Sequence, residues 1–164
     1  MSAIDDILTA NKRFAETFQL GDLPRPPARR LAIVSCMDAR LSVERSLGLN
    51  PGDAHILRNA GGIVTEDVLR SLILSHHLLG TQEFMVINHT DCGMLTFEDE
   101  DIKKQLEEKT HATADVPASF LPFRNLEENV RQQVEKIKAH PWLPKGVPVR
   151  GFIYDVRDGR LYEV

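Results

Sequence analysis

Two short segments of this sequence contain residue types that bind metal ions and activate water. The first is residues 36–40, CMDAR, and the second is residues 89–92, HTDC. Two thiolates and one imidazole suit a tetrahedral zinc ion, and three protein ligands leave a fourth position free for water or a carboxylate. Cys36, His89 and Cys92 are therefore candidate ligands of a zinc ion with the open coordination that is typical of catalytic sites.

Asp38 and Arg40 add a second function to the first segment. They are two positions apart, close enough for the guanidinium group to hold the carboxylate with two hydrogen bonds. Such a pair would keep Asp38 ionised and off the metal, so that water takes the fourth position, whereas a released Asp38 would itself bind the metal in a closed state. Zinc lowers the pKa of a bound water from 15.7 to about 7. Asp38 would then accept a hydrogen bond from the resulting hydroxide and orient its oxygen toward an electrophile.

Both segments follow apolar runs that predict strands buried on both faces, at residues 31–36 and 84–87. In parallel α/β sheets, ligands bind beyond the carboxyl ends of the strands. If these two strands are neighbours, the three candidate ligands converge on one point. Either cysteine alone is equally well explained as a small buried apolar residue. The two segments together are much more specific for a metal site.

The remaining pattern predicts an α/β fold with a mainly parallel central sheet, flanking helices, a C-terminal antiparallel hairpin and an N-terminal helical arm, residues 1–20. An amphipathic helix at residues 3–19 could pack on its own domain or lie across a neighbouring subunit. Other elements are predicted from strand, cap and turn signals: strand 54–57, a glycine-containing loop 59–62, a helix capped by Thr65 and closed by Gly80, a helix from about Thr96 with Asp99 in a capping-box-like position, and strands 149–156 and 161–164 around the turn 158–159. A stripe of apolar residues at helical spacing predicts a further helix at residues 125–139.

Length and composition exclude several classes of protein. The chain has 164 residues, which predicts a single domain over residues 1–164. Its formal net charge of −4 argues against nucleic acid as a partner. No apolar run approaches the roughly 20 residues that span a bilayer, so a membrane partner is not expected. An acidic N-terminus without a secretory signal and only two cysteines predict a cytoplasmic protein whose thiols are free or metal-bound.

Three segments, at residues 36–40, 58–61 and 89–93, resemble the signature segments of β-class carbonic anhydrases in the same order. The resemblance is close from residue 31 to residue 92, and residues 151–155 with the final hairpin are similar to the closing strands of that family. It implies a zinc domain that reversibly hydrates carbon dioxide to bicarbonate and a proton. It also implies a homodimer as the minimum unit, often a homotetramer, in which the N-terminal helix embraces the partner.

Carried over residue by residue, the resemblance implies roles for named positions. Cys36, His89 and Cys92 are the implied zinc ligands, and Asp38 and Arg40 are the implied catalytic dyad. The predicted substrate pocket comprises the small residues beside the metal site: Ala60, Gly61 and Gly93.

Two other functions remain open at this point. Compact relatives in the same family hydrolyse carbonyl sulfide or carbon disulfide with the same metal site. A function of another class is a non-catalytic zinc-binding or interaction protein, in which Asp38 stays bound to the metal at working pH.

Overall fold

A computed structural model of the protein describes residues 2–164. Its five strands form one sheet in the order β2-β1-β3-β4-β5. The elements are α1 (Ala3–Glu16), β1 (Leu31–Cys36), α2 (Val43–Leu47), β2 (Ala54–Asn59), α3 (Glu66–Leu79), β3 (Glu83–His89), α4 (Asp99–Thr110), α5 (Leu126–Ala139), β4 (Val149–Tyr154) and β5 (Leu161–Glu163), with single 3₁₀ turns at Ala60–Gly62 and Gly93–Leu95.

Strand pairing confirms the predicted α/β fold. Strands β2, β1, β3 and β4 are parallel, and β5 runs antiparallel to β4 as the second strand of the C-terminal hairpin. The predicted neighbourhood of β1 and β3 is also confirmed, since Leu31 pairs with Glu83 and Ser35 with Ile87. The chain leaves β1 toward β2 on one side and returns to β3 on the other. The carboxyl ends of β1 and β3 therefore form the crevice in which α/β sheets bind ligands.

The main hydrophobic core lies between the sheet and helices α3 and α5. Val34 and Val86 of the two central strands, Leu72 of α3 and Val130 of α5 are fully buried there. Gly151 of β4 lets α5 approach closely, because a Cβ atom at this position would lie 2.5 Å from Cγ1 of Val130. The position of α5 over the sheet is thus fixed by close packing.

The opposite face of the sheet is less completely covered. Ile33 and Ile87 are buried there against Val43 of α2, whereas Met85 and Phe152 remain half-buried. Every residue of α1 is exposed, although the helix carries an apolar stripe. Since a helix stripe of this kind normally packs against another surface, α1 and the half-buried sheet face are both candidates for contact with a second molecule.

Most helix boundaries follow the local signals. Thr65 caps α3, its hydroxyl oxygen accepting a hydrogen bond from the backbone N–H of Val68, and Gly80 ends the helix with a φ of 75°. Helix α1 ends at Glu16, three residues before the predicted end. The short helix α2 was not predicted, because five residues are too few to show helical periodicity. No helix within residues 2–164 is long and apolar enough to cross a membrane.

The predicted start of a helix at Thr96 is wrong. Helix α4 begins at Asp99 after Glu98, and the hydroxyl of Thr96 donates instead to the carbonyl oxygen of Gly93, at 2.7 Å. The Asp99 carboxylate, expected to complete a capping box, accepts a hydrogen bond from the backbone N–H of Phe120 at 2.7 Å. The Asp99 carboxylate therefore binds a distant residue instead of completing the local capping box.

Candidate metal centre

The ends of β1 and β3 bring the three predicted ligands together. The metal-binding atoms of Cys36, His89 and Cys92 all lie within 4.8 Å of one another, and all three side chains are buried. Cys36 is the last residue of β1, His89 is the last residue of β3, and Cys92 lies in the turn that follows. The parallel pairing of the two strands is what places these residues at one edge of the sheet.

The donor set fits a zinc ion. Nδ1 of His89 lies 2.8 Å from the carbonyl oxygen of Thr90, a contact that places the ring proton on Nδ1. Nε2 of the same ring then carries a free lone pair, and within residues 2–164 this buried atom has no hydrogen-bond partner. A buried, unpartnered imidazole nitrogen beside two thiols is the arrangement that a zinc ion would satisfy.

The two thiols differ in acidity. The pKa of Cys36 is lowered, first by the neighbouring Cys92 thiol and further by the backbone N–H of Gly61; burial opposes the shift. The pKa of Cys92 is raised, first by its contact with Cys36 and then by burial. One thiolate is thus stabilised within this site, as thiolate coordination to a metal requires.

Asp38 and Arg40 form the ion pair that their spacing suggests. Nε of Arg40 lies 3.0 Å from Oδ1 of Asp38, and Nη2 lies 2.8 Å from Oδ2. The backbone N–H of Arg40 also donates to Oδ1, at 2.9 Å. These contacts, the side chain of Arg40 first and its backbone second, hold the pKa of Asp38 well below its usual range. The carboxylate is therefore ionised, and its Oδ2 lies 3.7 Å from Nε2 of His89.

Asp91 is a second partner of Arg40, and the sequence reasoning missed it. Nη1 of Arg40 lies 2.7 Å from Oδ2 of Asp91, and Nη2 donates to the Asp91 carbonyl oxygen at 2.9 Å. Asp91 has a φ of 56°, in the left-handed region that aspartate tolerates better than most residues. Its place between the candidate ligands His89 and Cys92 was the available signal, since it adds a second carboxylate to the segment that carries them.

Arg58 holds the loop that carries Asp38, a role that the sequence reasoning also missed. Its Nε donates to the carbonyl oxygen of Cys36 at 2.8 Å, and its Nη2 donates to that of Asp38 at 2.7 Å. The register of β1 and β2 places Arg58 opposite Ser35, directly before this loop. A guanidinium group that binds two carbonyl oxygens restricts the path of the loop between them.

The glycine loop passes close to Cys36. The backbone N–H of Gly61 donates to Sγ of Cys36 at 3.4 Å. Gly62 has a φ of 61°, and a Cβ atom there would lie 2.9 Å from Nδ2 of Asn88 and 3.0 Å from the backbone nitrogen of Cys36. Only glycine combines this conformation with this approach.

The three residues of the predicted substrate pocket lie around the metal-binding cluster in different environments. Gly61 is buried beside Cys36, whereas Ala60 and Gly93 are exposed, Gly93 directly after Cys92. Apolar side chains pack around the two cysteines and provide an apolar environment for the site: Leu41, Met94, Leu95, Phe97 and Phe123. The role of Ala60, Gly61 and Gly93 in binding a substrate stays a prediction.

Comparison with known proteins gives one consistent family. The family model described as carbonic anhydrase matches residues 31–161. Beta-carbonic anhydrase 1 of Mycobacterium tuberculosis is 46% identical over 164 residues, covering 100% of this chain and 99% of the relative. A carbon disulfide hydrolase of Acidithiobacillus thiooxidans is 37% identical over 169 residues, covering 92% and 83%. The crystal structure of a carbonic anhydrase from Streptococcus mutans is 46% identical, covers 100% of this chain and 98% of that one, and superimposes with a TM-score of 0.94.

Proposed function

The chain belongs to the β-carbonic anhydrase family, and on that premise we propose that it catalyses the reversible, zinc-dependent hydration of carbon dioxide to bicarbonate and a proton. The observation that carries this proposal is the convergence of Cys36, His89 and Cys92 beside an ion-paired Asp38. A buried donor set of this composition, with an ionised carboxylate next to it, contains the groups that hydration of a small electrophile needs.

In this proposal Cys36, His89 and Cys92 hold the zinc ion. When bound, zinc supplies Lewis acidity that makes water a nucleophile near neutral pH. The contact between Nδ1 of His89 and the carbonyl oxygen of Thr90 fixes the ring so that Nε2 faces the other donors. These residues thus determine where the reacting water can lie.

Asp38 orients that water. Its Oδ2, on the side of His89, accepts a hydrogen bond from the water and directs an oxygen lone pair toward carbon dioxide. Arg40 is a positioning residue in this scheme, because it holds both carboxylate oxygens of Asp38 and keeps them away from the metal-binding atoms. Carbon dioxide is small and apolar, and the apolar side chains packed around the cysteines suit it.

The test of the proposal combines metal content with activity. We expect the purified protein to hold about one zinc ion per chain, as three converging ligands predict, and to accelerate carbon dioxide hydration. Zinc can be measured by elemental analysis and hydration by stopped-flow detection of released protons from neutral to alkaline pH. Zinc-loaded protein that stays inactive as the pH is raised would instead support the non-catalytic function, with Asp38 bound to the metal.

Hydrolysis of carbon disulfide or carbonyl sulfide is the second candidate function. It is favoured by the 37% identity to a protein named carbon disulfide hydrolase. The substrates are all small, linear and electrophilic, so the same donor set and the same Asp38 would serve each of them. Side-by-side assays on one zinc-loaded preparation separate the functions: we expect carbon dioxide to give the largest kcat/KM, and a larger value for a sulfur-containing substrate would reassign the enzyme.

We further propose that the protein is at least a homodimer, with the N-terminal arm of residues 1–20 lying on the partner. Helix α1 forms through its own capping box, in which the backbone N–H of Ser2 donates to Oδ2 of Asp5 at 2.9 Å. Its apolar side chains belong to no core within the described part of its own chain. Ile7 and Phe14, for example, are 67% and 60% exposed. Assembly of dimers into a tetramer, and a cytoplasmic location, stay predictions.

Replacing Ile7 and Phe14 together with glutamate is expected to convert the oligomer into monomers. Charged side chains on this face cannot be desolvated without a partner charge, so the contact between arm and neighbouring chain is lost. Sedimentation velocity measures the change in mass. The matched control replaces Lys12, on the polar side of the same helix, with glutamate and should leave the oligomer intact. An unchanged mass for the Ile7/Phe14 variant would contradict the proposed role of the arm.

A further inference from the structure

Three buried side-chain amides connect helix α5 to the glycine loop beside Cys36. Asn88 lies in β3, and Asn129 and Gln133 lie one turn apart in α5. Their exposed fractions are only 1%, 6% and 2%, and they lie beside the main hydrophobic core. We refer to Asn88, Asn129 and Gln133 as the amide relay.

The hydrogen bonds of the amide relay all run in the same direction. Nε2 of Gln133 donates to Oδ1 of Asn129 at 2.9 Å, and Nδ2 of Asn129 donates to Oδ1 of Asn88 at 2.7 Å. Nδ2 of Asn88 then donates to the carbonyl oxygens of Gly61 at 3.0 Å and Gly62 at 3.3 Å. Hydrogen bonds in such a chain polarise one another in the same sense, which strengthens the last one.

The far end of the relay is anchored by a backbone amide and a cation. Oε1 of Gln133 accepts from the backbone N–H of Val64 at 2.9 Å and from Nζ of Lys136 at 3.2 Å. Val64 closely follows the two glycines in the chain. The relay therefore holds this loop at both ends, with the positive charge placed where it polarises the amides toward Gly61 and Gly62.

The loop held in this way touches a predicted metal ligand. Gly61, whose carbonyl oxygen accepts from Asn88, donates its own N–H to Sγ of Cys36 at 3.4 Å. Gly62 packs so tightly against Asn88 and the backbone of Cys36 that a Cβ atom has no room. A displacement of Asn88 is thus transmitted through Gly61 to the N–H that faces Cys36.

Stability alone gives little reason for the relay. The net contribution of a hydrogen bond to stability is small, because the same groups bind water in the unfolded chain. Apolar side chains of similar shape would fill the same volume, as Val130, Val134 and Ile137 do elsewhere on α5. Buried polar chains are more effective at fixing one arrangement of the groups that they connect.

We propose that the amide relay is a positioning device for the metal centre: it fixes the loop so that the N–H of Gly61 is directed at Sγ of Cys36, and it thereby controls how strongly this thiolate donates electrons to the metal. This inference rests on the proposed zinc site. The residues of the relay touch neither the metal nor the substrate in this scheme, and they act through Gly61.

Replacing Asn129 with leucine breaks the relay at a residue whose side chain hydrogen-bonds to Asn88 and Gln133 and not to the loop or the ligands. In metal-free protein we expect the amide hydrogen of Gly61 to exchange with solvent about tenfold faster, the loss that one hydrogen bond represents. In cobalt-substituted protein we expect the thiolate-to-cobalt charge-transfer band to move to longer wavelength, because a sulfur that loses an N–H donor gives up electrons more readily. NMR exchange and absorption spectroscopy measure the two effects.

Two further substitutions on α5 separate positioning from general destabilisation. Val130→Ala removes core packing one residue away but no amide, so it should lower the melting temperature without moving the charge-transfer band. Gln133→Leu interrupts the relay one link farther from Gly61 and also removes the acceptor of the Val64 N–H, so it should move the band in the same direction. If Asn129→Leu does not fold, Gln133→Leu decides the question by the same two measurements.

The outcomes distinguish the relay from the zinc site. A folded Asn129→Leu variant with unchanged Gly61 exchange overturns the positioning role, as does a Val130→Ala variant that shows the same band shift. Faster exchange with an unmoved band overturns the control of the thiolate. If the unsubstituted protein binds no cobalt or zinc, the proposed function fails, and exchange at Gly61 still tests whether the relay positions the loop.

Discussion

Replacing Cys92 with alanine is expected to remove most of the bound zinc and to abolish carbon dioxide hydration. The substitution takes away one of three protein ligands, and the two that remain, Cys36 and His89, are one fewer than the three that a catalytic zinc site uses. Elemental analysis after dialysis against a weak chelator should find less than about a tenth of an equivalent of zinc, because mutation even of a partner outside the ligand set lowers metal affinity by about 10–100-fold.

A matched control removes a different sulfur atom from the same surroundings. Met94 follows Cys92 by two residues and packs in the same apolar cluster, but its thioether is not among the three donors. Met94→Leu is close in volume and should keep its zinc. Full zinc content in Cys92→Ala would exclude Cys92 as a ligand, and loss of zinc from Met94→Leu would show that disturbance of the cluster, rather than the missing thiolate, releases the metal.

Local sequence signals predicted the parts of the fold that depend on neighbours in the chain. The apolar runs before Cys36 and His89 identified β1 and β3, because a strand buried on both faces needs apolar residues at every position. The Thr65 cap and the closing Gly80 identified both ends of α3 through groups within four residues of each end. The convergence of the candidate ligands followed from these strands being neighbours, which the order of the sheet confirms.

Contacts between distant parts of the chain account for what could not be predicted. Arg40 and Asp91 are 51 residues apart, and Arg58 and the Cys36 carbonyl that it binds are 22 residues apart. No local pattern shows that these groups meet. The wrong capping box at Thr96 has the same origin, since Asp99 is used by Phe120, 21 residues farther along. The partners of a charged side chain depend on how the whole sheet is assembled. The sequence of its own segment does not show that assembly.

The amide relay illustrates the same limit in the core. Asn88, Asn129 and Gln133 are common surface residue types, and the helical stripe of α5 was identified from its apolar members alone. Only the close approach of α5 to the sheet, at Gly151, makes clear that two of these amides point inward. A buried polar group is visible in a sequence only when the fold that buries it is known.

Replacing Arg40 with alanine is expected to lower the rate of carbon dioxide hydration by on the order of a hundredfold, within the range attributed to a positioned acid–base group, while zinc stays bound. The variant leaves Asp38 with the backbone N–H of residue 40 as its remaining donor of the three described above. Since Oδ2 of Asp38 lies 3.7 Å from Nε2 of His89, the freed carboxylate would be close enough to compete with water for a metal ion held by the three ligands. Stopped-flow hydration assays and zinc analysis measure the two quantities.

The expected loss comes from the position of Asp38 and not from its charge. Removing Arg40 allows the pKa of Asp38 to rise toward its ordinary value, because the largest cause of the lowering is gone. That ordinary value is about 3.9, so the carboxylate stays ionised at neutral pH with or without the guanidinium group. A loss caused by protonation of Asp38 would be reversed as the pH is raised, and we expect no such recovery relative to the unsubstituted protein.

Three further variants identify the contact that matters. Arg40→Lys keeps the charge but cannot form two parallel hydrogen bonds, so its rate should lie between those of the unsubstituted protein and Arg40→Ala. Asp91→Asn weakens the second anchor of the guanidinium group without touching Asp38, and its loss should be smaller than that of Arg40→Ala. Arg45→Ala, an exposed arginine on α2, should keep the full rate. An undiminished rate in Arg40→Ala would exclude the positioning role, because the carboxylate would then hold its place through the backbone alone.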